Sequence, residues 1–285
     1  MSEVPLRVLV DGRDADGDGD GDGKGAGWPL DRGLHYGDGL FETMRVRQGA
    51  VRFAGLHRQR LGDGLHRLGI TLNEAQMWQQ VQEAAATHGN AMLKLIVTRG
   101  DATARGYSPS GAEQPRRLLL IYADAASPVP ASSVERTAVT LHARLGENPI
   151  LAGLKHLNRL EQVLARIELA ATGAFEGLIG SSSGLLISGT IGNVYIRRYG
   201  NWLTPRIDRC GIKGVMRTAA LREAMACGLA IEEADIPLAA LRDCQSVYLS
   251  NARLGLMPLT QLDGRPLMRD AAMDRLARHL ETLDD

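Results

Sequence analysis

Apolar positions along this chain recur at two periods, near 3.6 and near 2, and the switches between them outline its elements. Leu61, Leu65 and Leu68 share one face of a helix predicted over Leu56–Leu68, and a second helix is predicted over Glu74–His88. Runs rich in Leu, Ile and Val predict strands at Leu6–Val10, Ala91–Thr98 and Arg117–Tyr122, with a hairpin over Val46–Phe53 turning at Gln48-Gly49. The second half alternates short strands (Gly177–Ile179, Leu185–Ile187, Asn193–Arg197, Trp202–Thr204, Ser246–Leu249) with helices over 158–171, about 215–227 and 271–282. The fold class is therefore α/β, with an α+β first half. Pro128–Pro130 and the turn Gly146-Glu147-Asn148-Pro149 are the candidate domain boundaries. The first gives a smaller domain over 1–127 and a larger one over 128–285.

The sharpest helical pattern lies in the second half. Leu157, Leu160, Val163, Leu164, Ile167 and Ala171 recur at intervals of three and four, which predicts one buried face. Asn158 followed by Glu161 has the form of a capping box, so this helix is predicted to begin near Asn158. Lys155 then stands just ahead of a helix N-terminus in a mostly apolar run. The helix field and desolvation both favour the neutral amine, which is the nucleophile and base that imine chemistry requires. The alternative is a lysine with its stem buried and its head in water.

Composition narrows the function. Lys+Arg and Asp+Glu are balanced at 33 each, so no global field draws the protein to nucleic acid or an acidic membrane. Cys210, Cys227 and Cys244 lack the spacing of a disulfide framework or a zinc site, and no metal is expected. No signal segment opens the chain and no apolar run reaches ~18 residues, which makes a cytoplasmic protein the default. The run Asp16-Gly17-Asp18-Gly19-Asp20-Gly21 imitates the start of a calcium loop. The twelfth position counted from Asp16 is Gly27, where a bidentate Glu belongs, so residues 14–27 read as a solvated loop.

Four further segments carry candidate chemistry. In Asp31 to Thr43, three glycines among aromatic and charged residues predict a tight loop feeding a strand, with backbone close to a ligand. Arg60 in His57-Arg58-Gln59-Arg60-Leu61 borders the buried helix stripe; it either points inward, where its fork of donors suits a phosphate, or lies on the surface. Cys210-Gly211-Ile212-Lys213-Gly214-Val215 is a glycine-flanked turn into a helix, an anion site in form but not a Walker A loop. Leu249-Ser250-Asn251-Ala252 places short polar side chains at a strand end. One lysine fit for imine formation together with phosphate-friendly turns is what pyridoxal 5'-phosphate (PLP) needs.

The chain resembles the fold-type IV PLP enzymes, the branched-chain and D-amino-acid aminotransferase-like family. The residues that carry the likeness are Asp31-Arg32-Gly33 with Tyr36-Gly37-Asp38-Gly39, His57 with Arg60-Leu61, Lys94 to Gly100 with Arg105-Gly106-Tyr107-Ser108, Gly146 to Arg166, the run around Asn193, Gly211 to Arg217, and Ser250 to Pro258. The run Leu151 to Gln162 is specific to the family's lyase branch. The resemblance implies two domains with the cofactor between them, a homodimer, and a small-molecule substrate. It implies that Lys155 is the Schiff-base lysine, and that Arg60, the backbone of Ile212 and Lys213, and Ser250 or Asn251 hold the phosphate. Arg105, then Arg45, and Tyr36 are the candidates to meet substrate. The implied chemistry is an elimination, with amino-group transfer on the same fold as the alternative. A binding protein built on the Asp/Gly loop is the non-enzymatic reading, and only that loop supports it.

One position departs from the resemblance. The family places a glutamate opposite the pyridine nitrogen, five residues before the asparagine matched by Asn193; here Ser188 stands there. A hydroxyl can hydrogen-bond to that nitrogen but does not keep it protonated. Three readings follow: an elimination that needs less of an electron sink, another acid such as Glu42 substituting, or a degenerate paralogue with weakened chemistry. Amino-group transfer leans harder on the missing acid.

Overall fold

A computed structural model of the chain describes residues 5–14, 30–102, 105–123 and 135–283. The proposed boundary at Pro128–Pro130 and nearly all of the Asp/Gly loop lie outside them. The chain divides into two compact units, one comprising 1–127 with Lys155–Asn158 and the other 128–154 with Arg159–Leu283.

The first unit runs β1 (Arg7–Val10), β2 (Arg13–Asp14), α1 (Arg32–Tyr36), β3 (Gly39–Arg47), β4 (Ala50–Val51), α2 (Ala54–Leu68), α3 (Glu74–His88), β5 (Ala91–Thr98) and β6 (Arg116–Ala123). Its strands form one sheet in the order β2-β1-β6-β5-β3-β4. Gln48 and Gly49 both have positive φ (52° and 81°) between paired Arg47 and Ala50. That is the twist a two-residue hairpin requires. Alternation divides the sheet into two faces. Leu40, Met44, Leu93, Leu95, Leu119 and Ile121 are buried on one, which also carries Glu42. The other carries Phe41, Thr43, Lys94, Ile96, Leu118 and Leu120, all half-buried. Helix α2 packs Leu61 and Leu65 inward and starts two residues earlier than its stripe indicates. Helix α3 matches its expected bounds, with the Asn73 side chain accepting from the Gln76 N–H. Helix α1 occupies part of the stretch expected as loop, because Asp31 caps it by accepting from Gly33 N and Leu34 N.

The second unit runs β7 (Thr137–Leu145), α4 (Leu160–Ala170), β8 (Glu176–Ser181), β9 (Leu186–Gly189), β10 (Asn193–Arg198), β11 (Asn201–Pro205), α5 (Val215–Glu223), β12 (Ile231–Ala234), β13 (Ser246–Asn251), β14 (Gly255–Pro258), β15 (Gln261–Leu262), β16 (Arg265–Pro266) and α6 (Ala271–Thr282). Two sheets form, β12-β11-β10-β13-β14 and β16-β15-β7-β8-β9. Strands β7 and β8 are parallel, the pairing that a helical crossover allows. One core lies where Leu141, Leu145, Ile179 and Ile187 meet Ala165 and Leu169 of α4. The other joins Leu178, Leu186, Val194, Ile196, Val247 and Leu249. The helix expected over 215–227 ends at Glu223, and a separate 3-10 turn covers Met225–Cys227.

Helix α4 corrects two expectations. It begins at Leu160, and no capping box forms: the Asn158 side chain donates to Gly37 O (3.2 Å), and Glu161 accepts from Gly146 N (2.7 Å). Distant backbone groups outcompeted the local cap. Its apolar stripe also faces outward. Leu160, Val163, Leu164 and Ile167 are 51–70% exposed in the single chain, while Ala165 and Leu169 face the core.

Candidate active site

Strand β3 organises the chemistry of the first unit. Its edge is joined by the segment that carries the lysine: Phe41 N donates to Lys155 O (2.9 Å), Leu40 bridges His156, and Leu157 N donates to Gly39 O (3.0 Å). The Lys155 Nζ sits 4.1 Å from the centroid of the Phe41 ring. Lys155 was expected to take its setting from a helix N-terminus; in the structure it takes it from this strand, five residues before α4 begins.

On the other face of β3, Glu42 is buried against α2. Its carboxylate accepts from Arg60 Nε (2.8 Å) and Arg60 Nη2, and lies 2.6 Å from His57 Nδ1. Burial pushes the Glu42 carboxyl up, but the charges of Arg60 and His57 outweigh it and hold it at about 2. His57 is held below its ordinary value, first by burial, with Arg60 and Lys155 adding to the effect against the pull of Glu42. Arg60 therefore points inward, oriented by an ionised carboxylate. Both oxygens of Glu42 are committed here, which removes Glu42 as the substitute acid for a cofactor ring nitrogen.

The candidate substrate residues of this unit are spread along its strands and loops. Arg45 is buried, on the same face of β3 as Phe41. Arg105 is exposed in the loop before β6. The Tyr36 ring stands edge-on to that of Tyr107, with centroids 5.4 Å apart.

In the second unit Asn193 staples the turn into α5. Its Nδ2 donates to Ile212 O (2.9 Å) and its Oδ1 accepts from Gly214 N (3.1 Å). A Cβ on Gly214 would meet that Oδ1 at 2.2 Å, and Gly211 has φ 88°, so both glycines are required by the turn. Of the two N–H groups expected to face an anion, that of Lys213 donates to Gly153 O (3.2 Å). Ser250 is buried beside Asn193 on paired strands, its Oγ 3.0 Å from the Tyr195 hydroxyl. Asn251 is committed elsewhere: its Oδ1 accepts from Arg253 N and Leu254 N and its Nδ2 donates to Ile191 O, so it caps its own turn.

Ser188 lies at a β-bulge. Ile179 pairs with Ser188 and Gly180 with Leu186, which leaves Ile187 as the extra residue. The sequence reading overlooked Glu176, at the start of β8. It is fully buried, accepting from Gly177 N (2.8 Å), Thr190 N (2.9 Å) and Thr190 Oγ1. Burial raises its carboxyl above the ordinary range despite these bonds. A Cβ on Gly189 would meet Glu176, whereas its neighbour Ser188 pairs with Ile179 on the opposite face of the sheet. Glu176 therefore does not replace an acid at position 188. Its one sequence signal is a lone charge opening an apolar strand.

Residues 39–262 match the family model for amino-transferase class IV. The chain belongs to that family. Its members depend on PLP, and its architecture is the fold-type IV one. The chain is 30% identical to the aminodeoxychorismate lyase of Vibrio harveyi over 258 residues, covering 88% of this chain and 93% of that protein. It superposes on the 4-amino-4-deoxychorismate lyase of Pseudomonas aeruginosa with a TM-score of 0.81 and 38% identity, over 96% of this chain and 98% of that one. The PLP-bound form of a hypothetical aminotransferase from Mycobacterium tuberculosis shares the fold, with a TM-score of 0.75 and 22% identity over 89% of this chain and 91% of that one. The residues present suit the cofactor. A turn that no Cβ can enter, stapled by Asn193 at the start of α5, suits a phosphate, and an arginine aligned by Glu42 suits one too.

Proposed function

We propose that this protein is an aminodeoxychorismate lyase, converting 4-amino-4-deoxychorismate to 4-aminobenzoate and pyruvate. The observation that carries the reading is the likeness to the Pseudomonas aeruginosa lyase along nearly the whole chain. Lys155 is the covalent anchor for PLP. Arg60, the Ile212 N–H and Ser250 would hold the phosphate, with Asn193 fixing the turn and the Lys213 N–H tying it to Gly153 O. When bound, PLP supplies the electron sink that lets the carbon bearing the substrate amine give up its proton.

The chain's own residues do the rest. Lys155 Nζ takes the C4 proton. The C3–O bond breaks with its electron pair on oxygen, pyruvate leaves as its enol, and Lys155 returns a proton to the enol carbon. The ring then has the unsaturation of 4-aminobenzoate. Arg105, Arg45 and Tyr36 bind and orient the substrate. Ser188 would offer the ring nitrogen only a hydroxyl, which an elimination driven by aromatisation tolerates better than amino-group transfer does.

Two further parts of the reading have their own support. The outward stripe Leu160, Val163, Leu164 and Ile167 is the face of a homodimer, since four large apolar side chains on three turns of helix need cover. A cytoplasmic setting fits three free cysteines, two of them buried, and no helix among the described residues is long and apolar enough to cross a membrane. The deciding experiment gives purified protein aminodeoxychorismate with no 2-oxo acid. Equal yields of pyruvate and 4-aminobenzoate are expected; an absolute need for a 2-oxo acid would assign an aminotransferase instead.

A further inference from the structure

Arg32 is 3% exposed, and each of its three guanidinium nitrogens has a partner. Nε donates to Asp38 Oδ2 (2.9 Å), Nη1 to Gly106 O (3.4 Å) and Nη2 to Tyr107 O (2.5 Å). Its Cζ lies 5.0 Å from the centroid of Tyr36, the ring against which Tyr107 stands edge-on. A buried guanidinium is costly unless charge and donors are both satisfied. Asp38 supplies the charge, and Arg99 holds Asp38 from the other side through Nε (2.8 Å) and Nη2 (3.0 Å). What remains of the fork is satisfied by two consecutive carbonyls of a loop some seventy residues away. Asp31 fixes the base of the arrangement by accepting from Thr98 Oγ1 (2.7 Å), while Arg32 N donates to Gly100 O (2.8 Å).

The loop so held is unusual in what it exposes. Its backbone is tied down at Gly106 and Tyr107, yet the Tyr107 side chain is 83% exposed and Arg105 beside it is exposed too. A loop anchored through its carbonyls while it projects a cation and an aromatic ring is arranged to present those groups. We propose that Arg32 is a positioning residue for substrate recognition, fixing the Gly106–Tyr107 backbone so that Arg105 and Tyr107 form a preorganised arm for a substrate carboxylate. The proposal rests on the lyase reading for its substrate, but not for the anchoring itself.

The test uses R32K, R105A and the double variant in the PLP-loaded enzyme. Lysine keeps the charge beside Asp38 but cannot fork to two carbonyls. R32K should raise KM for aminodeoxychorismate at least tenfold with kcat within about threefold, and hydrogen exchange at the amides of 105–108 should quicken. The absorbance of the Lys155-bound cofactor should not move. The double variant should bind no more weakly than R105A alone, because both changes remove the same arm. Unchanged exchange in R32K overturns the anchoring, and KM effects that multiply in the double variant overturn the positioning role. Absence of wild-type turnover would remove the lyase reading alone, since the exchange measurement needs no substrate.

Discussion

Replacing Glu42 with glutamine removes the one negative charge between Arg60 and His57 at a position that is 1% exposed. The folded carboxyl lies at about 2, against an ordinary 4.5. Holding the carboxyl at about 2 instead of 4.5 corresponds to about 3 kcal/mol of stability at neutral pH. Breaking a buried ion pair from one side costs about the same, 3–5 kcal/mol. The sign follows from the direction of the shift. Because the folded value is depressed, the contribution is complete above about pH 4.5 and disappears as the pH falls toward 2. His57 is also depressed, so below its ordinary 6.5 the unfolded chain takes up a proton that the folded state refuses, and acid removes stability there too. Urea unfolding of cofactor-free wild type and E42Q, followed by tryptophan fluorescence, should show a gap of about 3 kcal/mol at pH 7 that narrows below pH 4.5. E42Q should also take up PLP more weakly, since Arg60 loses its orienting partner. A gap under about 1 kcal/mol at pH 7, or one that stays constant down to pH 3, would refute this account of the triad.

K155A should abolish both pyruvate release and the absorbance of covalently held cofactor while leaving the urea midpoint of the cofactor-free protein unchanged; full turnover by this variant without added amine would sink the assignment of the lysine. G214A drives a methyl into Asn193 Oδ1, so PLP affinity should fall at least tenfold and stability by about 1–3 kcal/mol, measured by cofactor titration and urea unfolding. S188A should keep kcat within about tenfold of wild type if the hydroxyl is a minor partner of the ring nitrogen; a loss of about 4 kcal/mol in transition-state stabilisation would show that the serine carries the sink itself. The double change L164D/I167D should convert a dimer to monomers in sedimentation velocity, and a variant that sediments as wild type would move the dimer contact off α4.

Much of the architecture could be read from local patterns. Helices α3 and α6 have their expected bounds, and the Gln48-Gly49 turn forms where its residues allow left-handed backbone. The errors have physical causes. The stripe on α4 is real, but periodicity reports an apolar face and is silent on what covers it. The capping box at Asn158 failed because Gly37 O and Gly146 N, remote in sequence, offered better partners. Strand β7 escaped notice because Ala138 and Ala143 blur its alternation. The site was partly legible. Lys155, Arg60 and Asn193 follow from motif and resemblance, whereas the separation of Ser188 from Glu176 depends on a bulge and a strand register that spacing does not encode. Arg32 was visible only as a member of a motif, since its partners at Gly106 and Tyr107 come together through tertiary structure.

Strand β3 turns Phe41 toward the lysine and Glu42 toward the arginine, on opposite faces of one sheet. A slip of one residue in its pairing would exchange the two faces at once. The misregistered chain would lose both the lysine's seat and the arginine's alignment, and keep only the turn stapled by Asn193 in the second unit. Cofactor uptake during refolding is therefore expected to report whether β3 has paired in register. Refolded fractions that gain the absorbance of bound cofactor are expected to be those with β3 correctly paired to β5.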